Sequence, residues 1–153
     1  MSETAVWTAR NAAIAPRGLA AGSAGAPSVL LVEDEPGLAE VLALYLGAAG
    51  LAVRVAGDGV QALYALSREV PDAIVLDLAL PYVSGFRVLQ VLRRDRATAA
   101  VPVLVLTALN FQEAREVAAA GADDFLTKPF APQEVVARVR RLLTRAADRA
   151  PAA

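Results

Sequence analysis

The chain has no cysteine and no histidine, and 14 of its 15 basic residues are arginine, leaving a single lysine, Lys128. These absences exclude disulfides, thiolate nucleophiles, zinc sites built on cysteine or histidine, Ser-His-Asp triads and any phosphohistidine of its own. Carboxylates, hydroxyls and one amine remain for chemistry. No run approaches the roughly 20 apolar residues that span a bilayer, and the apolar stretch Ala12 to Ala15 is cut by Pro16 before it reaches signal-peptide length. A cytoplasmic protein with no membrane partner is expected.

Arginine is a planar fork, whereas lysine is a compact point charge with three rotatable donors, suited to meeting a single anionic oxygen. The lone lysine stands in Thr127-Lys128-Pro129-Phe130, directly after a short apolar run. Phosphoryl chemistry is one use for such a group. Codon bias would also leave one lysine, so the residues around it decide.

The 153 residues suit one domain with tails. Residues 1–27 are rich in Ala, Gly, Ser and Pro and are expected to be a disordered leader, with the domain over 28–147 and a flexible tail at 148–153. Charge is uneven. Residues 28–130 hold 13 acids and 8 bases, whereas the last 23 hold 2 and 5. An acidic core is a poor direct ligand for nucleic acid, whose binding rests on basic surface.

Ser28 to Val32 is a short apolar run, and from Pro36 to about Gly47 the residues Leu38, Val41, Leu42 and Tyr45 recur at helical spacing. The same strand-then-helix alternation recurs four more times. Strands are predicted at Ala52–Ala56, Ala73–Asp77, Val103–Thr107 and Asp124–Lys128. Helices are predicted at Val60–Glu69, Ser84–Asp95, Asn110–Ala120 and Pro132–Arg149. Continuous apolar strands such as Ala73 to Leu76 imply a parallel sheet covered on both faces. Right-handed crossovers make it an α/β doubly wound sheet of five βα units. In such sheets ligands bind beyond the carboxyl ends of the strands. Glu33, Asp34 and Glu35 follow the first strand, Asp77 closes the third, Thr107 the fourth and Lys128 the fifth, so four strands deliver reactive groups to one edge. A carboxylate after a strand is commonly a helix N-cap, and Glu35 is assigned such a helix-start role.

Leu30-Leu31-Val32-Glu33-Asp34-Glu35-Pro36, then Ile74 to Pro81 with Gly85, then Leu106-Thr107-Ala108, then Gly121 to Phe130 together resemble the receiver domain of bacterial response regulators. The resemblance covers about Ser28 to Arg145. It implies a flavodoxin-like five-stranded sheet in the order 2-1-3-4-5, as in the receiver protein that exemplifies that order. It also implies Asp77 as phosphoacceptor and Glu33 with Asp34 as the acidic pair for Mg²⁺ or Mn²⁺. Direct ligation is expected from Asp34, Asp77 and the Ala79 backbone carbonyl, with Glu33 acting mainly through water. Three crowded carboxylates repel one another and an incoming phosphoryl group, which independently calls for a cation. The donor would be a sensor histidine kinase, with Lys128 sharing the charge on the transferring oxygens. Thr107 and Phe125 are the implied switch pair, and the family implies a cis peptide bond before Pro129. Ala79 and Leu109 are apolar where many relatives are polar, and a long-lived phosphoryl group is expected.

The last helix places Val135, Val139, Leu142 and Leu143 on one face and Arg138, Arg141, Arg145 and Arg149 on another. Arg115, Asp123, Asp124, Glu134, Arg138 and Arg140 resemble the mixed-charge set by which OmpR/PhoB-type receivers pair through the fourth helix, fifth strand and fifth helix. A homodimer through that surface and a downstream protein partner are expected, from a stand-alone receiver or the receiver half of a DNA-binding regulator. Two unrelated readings fail on the residues. A flavodoxin needs small hydroxyl residues after its first strand where Glu33-Asp34-Glu35 stand, and a dehalogenase-type phosphatase needs an acid where Ala79 stands. The alternative is a degenerate receiver acting as a protein-interaction scaffold without phosphorylation.

Overall fold

The computed structural model describes residues 25–108 and 110–149. The expected leader up to residue 24, Leu109 and the tail from residue 150 lie outside the described residues. Five parallel strands, β1 (Ser28–Val32), β2 (Ala52–Ala56), β3 (Ala73–Asp77), β4 (Val103–Thr107) and β5 (Asp124–Thr127), pair in the order β2-β1-β3-β4-β5. Between and after them run α1 (Pro36–Ala48), α2 (Gly59–Arg68), α3 (Gly85–Arg94), α4 (Phe111–Ala119) and α5 (Pro132–Arg149). The fold is therefore the flavodoxin-like one expected. Four strands match their predicted limits residue for residue, and β5 stops at Thr127, one residue before the lysine.

Three helices differ from expectation at their starts, two because a polar residue taken as helical is the cap and one because the cap lies a residue earlier than the prediction allowed. Ser84 Oγ accepts from the Arg87 N–H at 3.2 Å, and Asn110 forms a capping box with Glu113. Asp58 caps α2 by accepting from the Gln61 N–H at 2.7 Å, so that helix starts at Gly59 rather than Val60.

Side chains alternate across the sheet, and the two sets build two cores. Val29, Leu31, Val75, Leu104 and Leu106 pack with Leu42, Leu46, Val135, Val139 and Leu142 under α1 and α5. Leu30, Val32, Ile74, Leu76, Val103 and Val105 pack with Leu66, Leu89, Leu92 and Val117 under α2, α3 and α4. β3 and β4 are buried along their whole length, the signature of a sheet covered on both faces.

The face of α1 differs from the one its periodicity suggests. Of Leu38, Val41, Leu42 and Tyr45 only Leu42 is fully buried, while Val41 and Tyr45 are each 41% exposed and Leu44 is 58% exposed. The buried stripe is Ala39, Leu42, Ala43, Leu46 and Gly47. α1 carries one charge, Glu40, in 13 residues. A helix apolar on nearly every side gives no contrast from which to read a face, and small alanines allow it to lie close on the sheet.

Arg93, on α3, uses its whole guanidinium. Nη1 donates to the carbonyls of Ala99 and Val101 at 3.0 and 2.7 Å, and Nε and Nη2 donate to Gly121 O at 2.9 and 2.7 Å. Nη2 also meets Asp123 Oδ2 at 2.9 Å, and that oxygen accepts the Val103 N–H at 2.8 Å. One side chain thus ties α3 to the start of β4 and to the α4–β5 turn. Gly121 has φ +108, and a Cβ there would press on the Arg93 side chain, so the turn needs glycine twice over. Arg93→Ala leaves the carbonyls of buried Val101 and half-buried Gly121, the exposed Ala99 carbonyl and a carboxylate without this donor. It is expected to cost about 2 to 4 kcal/mol in urea unfolding, and a loss below half a kcal/mol would show the tie to be dispensable.

Candidate functional site

Parallel register brings the carboxyl ends of the strands to one edge. Val32 lies beside Leu76, Asp77 beside Leu106, and Thr107 beside Thr127. The residues just past those ends, Glu33 and Asp34 after β1 and Lys128 after β5, therefore converge on Asp77.

Asp77 is 2% exposed and closes β3. Its Oδ1 accepts the Ala79 N–H at 3.0 Å, and its Oδ2 accepts from Lys128 Nζ at 2.9 Å. The lysine is aimed by its own backbone. Lys128 N–H donates to Thr107 O at 2.8 Å, and the Lys128–Pro129 peptide is cis, as the family resemblance implies. Burial works to lower the Lys128 ammonium, but the Asp77, Glu33 and Asp34 carboxylates outweigh it and hold it above the usual lysine range. Gly85 completes the frame. A Cβ there would collide with the Asp77 carbonyl, so glycine alone lets the start of α3 pass behind the aspartate.

Glu33 is buried, and its Oε1 has no hydrogen-bond partner. Lys128 Nζ stands 3.7 Å from that oxygen, an ion-pair distance but too long for a hydrogen bond. Oε2 accepts only a long bond from the Glu35 N–H, at 3.4 Å. Burial, and then the neighbouring Asp77 carboxylate, push the Glu33 carboxyl up to about 8. Asp34 is exposed at the mouth of the site. Carboxylate oxygens of Glu33, Asp34 and Asp77 all lie within 4.8 Å of one another.

A hard divalent cation at about 2.0–2.1 Å from its ligands brings those oxygens roughly 3 to 4 Å apart. Three carboxylates near that spacing, one with an orphaned buried oxygen, fit such an ion by donor type and by charge. The remaining sequence candidates distribute as follows. Thr107 is buried at the end of β4, and Phe125, in register with Val105, is 37% exposed on the sheet face that carries α4. Ala79 is exposed beside Asp77.

Most of the mixed-charge set is engaged within the chain. Asp124 accepts from Arg138 Nη1 at 2.9 and 3.0 Å and from Arg141 Nη2 at 2.9 Å. Its partial burial works to raise the carboxyl, and the two guanidiniums overcome that and hold it below the ordinary range. Asp123 belongs to the Arg93 tie, Arg140 donates to Ala49 O at 3.2 Å, and Glu134 accepts the Ala131 N–H at 3.4 Å. Arg115 is exposed on α4. Two residues escaped sequence reasoning: Arg93, one arginine among 14, and Tyr82. Tyr82 lies in the loop after Asp77 with φ 66 and 88% exposure, and nothing in its local sequence marks it.

The family model described as the response regulator receiver domain matches residues 29–140. The chain belongs to the response regulator receiver family. It is 46% identical over 128 residues to the DNA-binding dual master transcriptional regulator RpaA of Synechocystis sp., covering 83% of this chain and 53% of that protein. With the DNA-binding response regulator MtrA of Mycolicibacterium smegmatis it is 44% identical over 123 residues, covering 78% and 52%. The chain thus spans about half the length of these curated relatives. The Francisella response regulator 1452 receiver domain aligns with TM-score 0.74 and 34% identity over 78% of this chain and 98% of that one. The receiver domain of the Pseudomonas aeruginosa sensor histidine kinase PA1611, solved with a magnesium ion coordinated in its active-site cleft, aligns with TM-score 0.72 and 33% identity. That match covers 78% and 99% of the two chains. Among the described residues no helix is long and apolar enough to cross a membrane.

The raised Glu33 carboxyl has a consequence for stability. The folded state holds this proton up to about 8, whereas the unfolded chain releases it near the ordinary glutamate value, about 4.3. Its favourable contribution is therefore complete below the unfolded value and is lost as pH rises through about 8. Without divalent ions the receiver is expected to melt lower at pH 8 than at pH 6. Glu33→Gln should flatten that slope and raise the Tm at pH 8 by roughly 2 to 6 °C, read by thermal denaturation in chelator. An unchanged slope in the variant would show that Glu33 is already ionised in the fold.

Proposed function

We propose that this receiver accepts a phosphoryl group on Asp77 from a sensor histidine kinase, with Mg²⁺ or Mn²⁺, and that the modification resets the α4-β5-α5 surface. The observation that carries this is the 2.9 Å contact of the only lysine with Asp77 Oδ2, inside a cluster of three carboxylates. A scaffold has no need of that arrangement. Its like charges are mutually unfavourable and are kept at the expense of stability.

In the reaction an Asp77 carboxylate oxygen attacks the phosphorus of phosphohistidine in line. As the new P–O bond forms, the P–N bond breaks, and its electron pair leaves with the imidazole nitrogen. Asp34, Asp77 and the Ala79 carbonyl, with Glu33 through water, would hold the cation, which when bound would supply charge neutralisation for the phosphoryl oxygens. Lys128 stabilises the same oxygens from the other side and keeps its proton throughout. The Ala79 N–H and Lys128 hold the carboxylate in one orientation before the donor arrives, which is the positioning that phosphoryl transfer requires.

Thr107, buried at the end of β4 on the strand next to Asp77, is the hydroxyl expected to turn to a new phosphoryl oxygen. Phe125, half out of the core on the adjacent strand, is the group whose position reports that contact to α4 and β5. The new charge biases two pre-existing arrangements rather than creating one. Relatives that continue into DNA-binding regulators suggest where the signal goes. With five more acids than bases over residues 28–130, this fold itself is assigned contact with a downstream protein or output module and not with nucleic acid.

Intact-mass analysis after incubation with acetyl phosphate and Mg²⁺ is expected to show one phosphoryl adduct, absent in Asp77→Ala and in chelator. An adduct that persists in Asp77→Ala moves the acceptor elsewhere. No adduct, from acetyl phosphate or from a phosphorylated histidine kinase, leaves the scaffold reading. For the homodimer, Arg138 is a poor probe because it already holds Asp124 within the chain. Arg115→Glu alters the exposed α4 side instead, and should lower the phosphorylation-dependent dimer fraction several-fold in sedimentation velocity. Full dimerisation of that variant would remove α4 from the interface.

A further inference from the structure

Tyr82 stands where the backbone asks for a different residue. Its φ is 66, and the Val83 N–H donates to Pro81 O at 2.8 Å across it, so Pro81 to Val83 form a three-residue turn with a positive φ at its centre. That is the rare, strained form of the γ-turn, a conformation that glycine adopts freely and a bulky residue does not. Packing does not account for the tyrosine either. Leu78, Leu80 and Val83 of the same loop pack on the core under α2, α3 and α4, whereas Tyr82 is 88% exposed. An aromatic ring held in a strained turn and left in solvent serves neither the fold nor its stability, and such outliers point to function.

The loop that carries it is fixed beside the phosphoacceptor. Leu78 O accepts the N–H groups of Leu80 at 3.0 Å and of Gly85 at 3.1 Å, which closes the loop on itself. A Cβ at Gly85 would collide with the Asp77 carbonyl, and one at Gly59 would collide with Val83. One end of the loop therefore lies against Asp77, and the turn lies against the start of α2. Tyr82 precedes Gly85 by three residues, at most about 11 Å of chain. Asp77 is 2% exposed, and the mouth of its site is marked by exposed Asp34 and by exposed Ala79, which belongs to the same loop as Tyr82. A protein that presents phosphohistidine to Asp77 must rest on the rim of that mouth. Tyrosine suits such a contact, because it offers a large amphipathic ring with few rotors to immobilise. Its position is set before the partner arrives, which removes an ordering term from association.

We propose that Tyr82 is a contact residue for the phosphohistidine-bearing protein that donates to Asp77, setting the affinity for that donor without touching the reacting atoms. The proposal rests on phosphoryl acceptance at Asp77, and two donors separate the two claims. Acetyl phosphate has no protein surface to meet Tyr82, so its adduct tests acceptance alone. A sensor histidine kinase selected for transfer to the parent chain, and phosphorylated on its histidine, tests the contact. Tyr82→Asn removes the ring and keeps a residue that tolerates positive φ, and Tyr82→Gly removes the strain as well. Both variants are expected to melt at or above the parent temperature and to react with acetyl phosphate within about twofold of the parent. With the kinase, kcat/KM for transfer should fall about tenfold or more, through KM rather than the maximal rate, while Tyr82→Phe stays within about threefold. Unchanged transfer from the kinase to the Asn and Gly variants would overturn the proposal. A parallel loss with acetyl phosphate would also overturn it, by placing Tyr82 in the building of the site. A lower melting temperature in both variants would do the same, by making the ring structural. No adduct from acetyl phosphate and no transferring kinase for the parent chain would remove phosphoryl acceptance itself, and this contact with it.

Discussion

Three carboxylates and one ammonium share a space a few ångströms wide, and the site is built around keeping them there. Glu33, Asp34 and Asp77 have oxygens within 4.8 Å of one another, and Lys128 reaches Asp77 at 2.9 Å. Such crowding is unfavourable in itself, since like charges cannot all ionise at that distance. The raised Glu33 carboxyl is the visible cost. It is sustained because each group hangs from the end of a strand in a rigid parallel ladder, and the two fully covered central strands leave no freedom to spread the charges.

The same ladder explains how a local charge change can reach a surface. Thr107 and Phe125 sit on neighbouring strands and face the α4 side of the sheet, so a group appearing at Asp77 lies one strand from Thr107 and two from Phe125. Below that edge, Arg93 fastens the α4–β5 turn to α3 and β4 through five hydrogen bonds. Asp124 fastens β5 to α5 through Arg138 and Arg141. The α4-β5-α5 surface is thus fastened at the start of β5, and Phe125, one residue past Asp124, is 37% exposed there.

The strands were legible because their residues run continuously apolar and stop at polar groups. The meeting of Asp77 with Lys128 was legible because both end or follow the apolar runs that predict the strands, and a parallel sheet brings those ends to one edge. Helix limits were less so, because Ser84, Asn110 and Asp58 belong as well to a first turn as to the cap before it until a hydrogen bond decides. The buried face of α1 could not be read at all, since its pattern offers leucine and valine on every side. The mixed-charge set was legible as a set, but not as what most of it does within the chain, because Asp123 and Asp124 find their arginines 30 and 14 to 17 residues away.

By itself the sequence determined which residues can do chemistry: with no cysteine or histidine and one lysine, the reactive inventory was short enough to name. It also determined the order of strands and helices, through apolar runs whose length and period are local properties. Only the tertiary structure decided that Glu33 is buried with an oxygen unpaired, that Arg93 is a tie rather than a surface charge, and that α1 leaves an apolar side open. Each of these depends on what lies across the sheet or beyond a turn, and burial and hydrogen-bond satisfaction are set by neighbours distant in the chain.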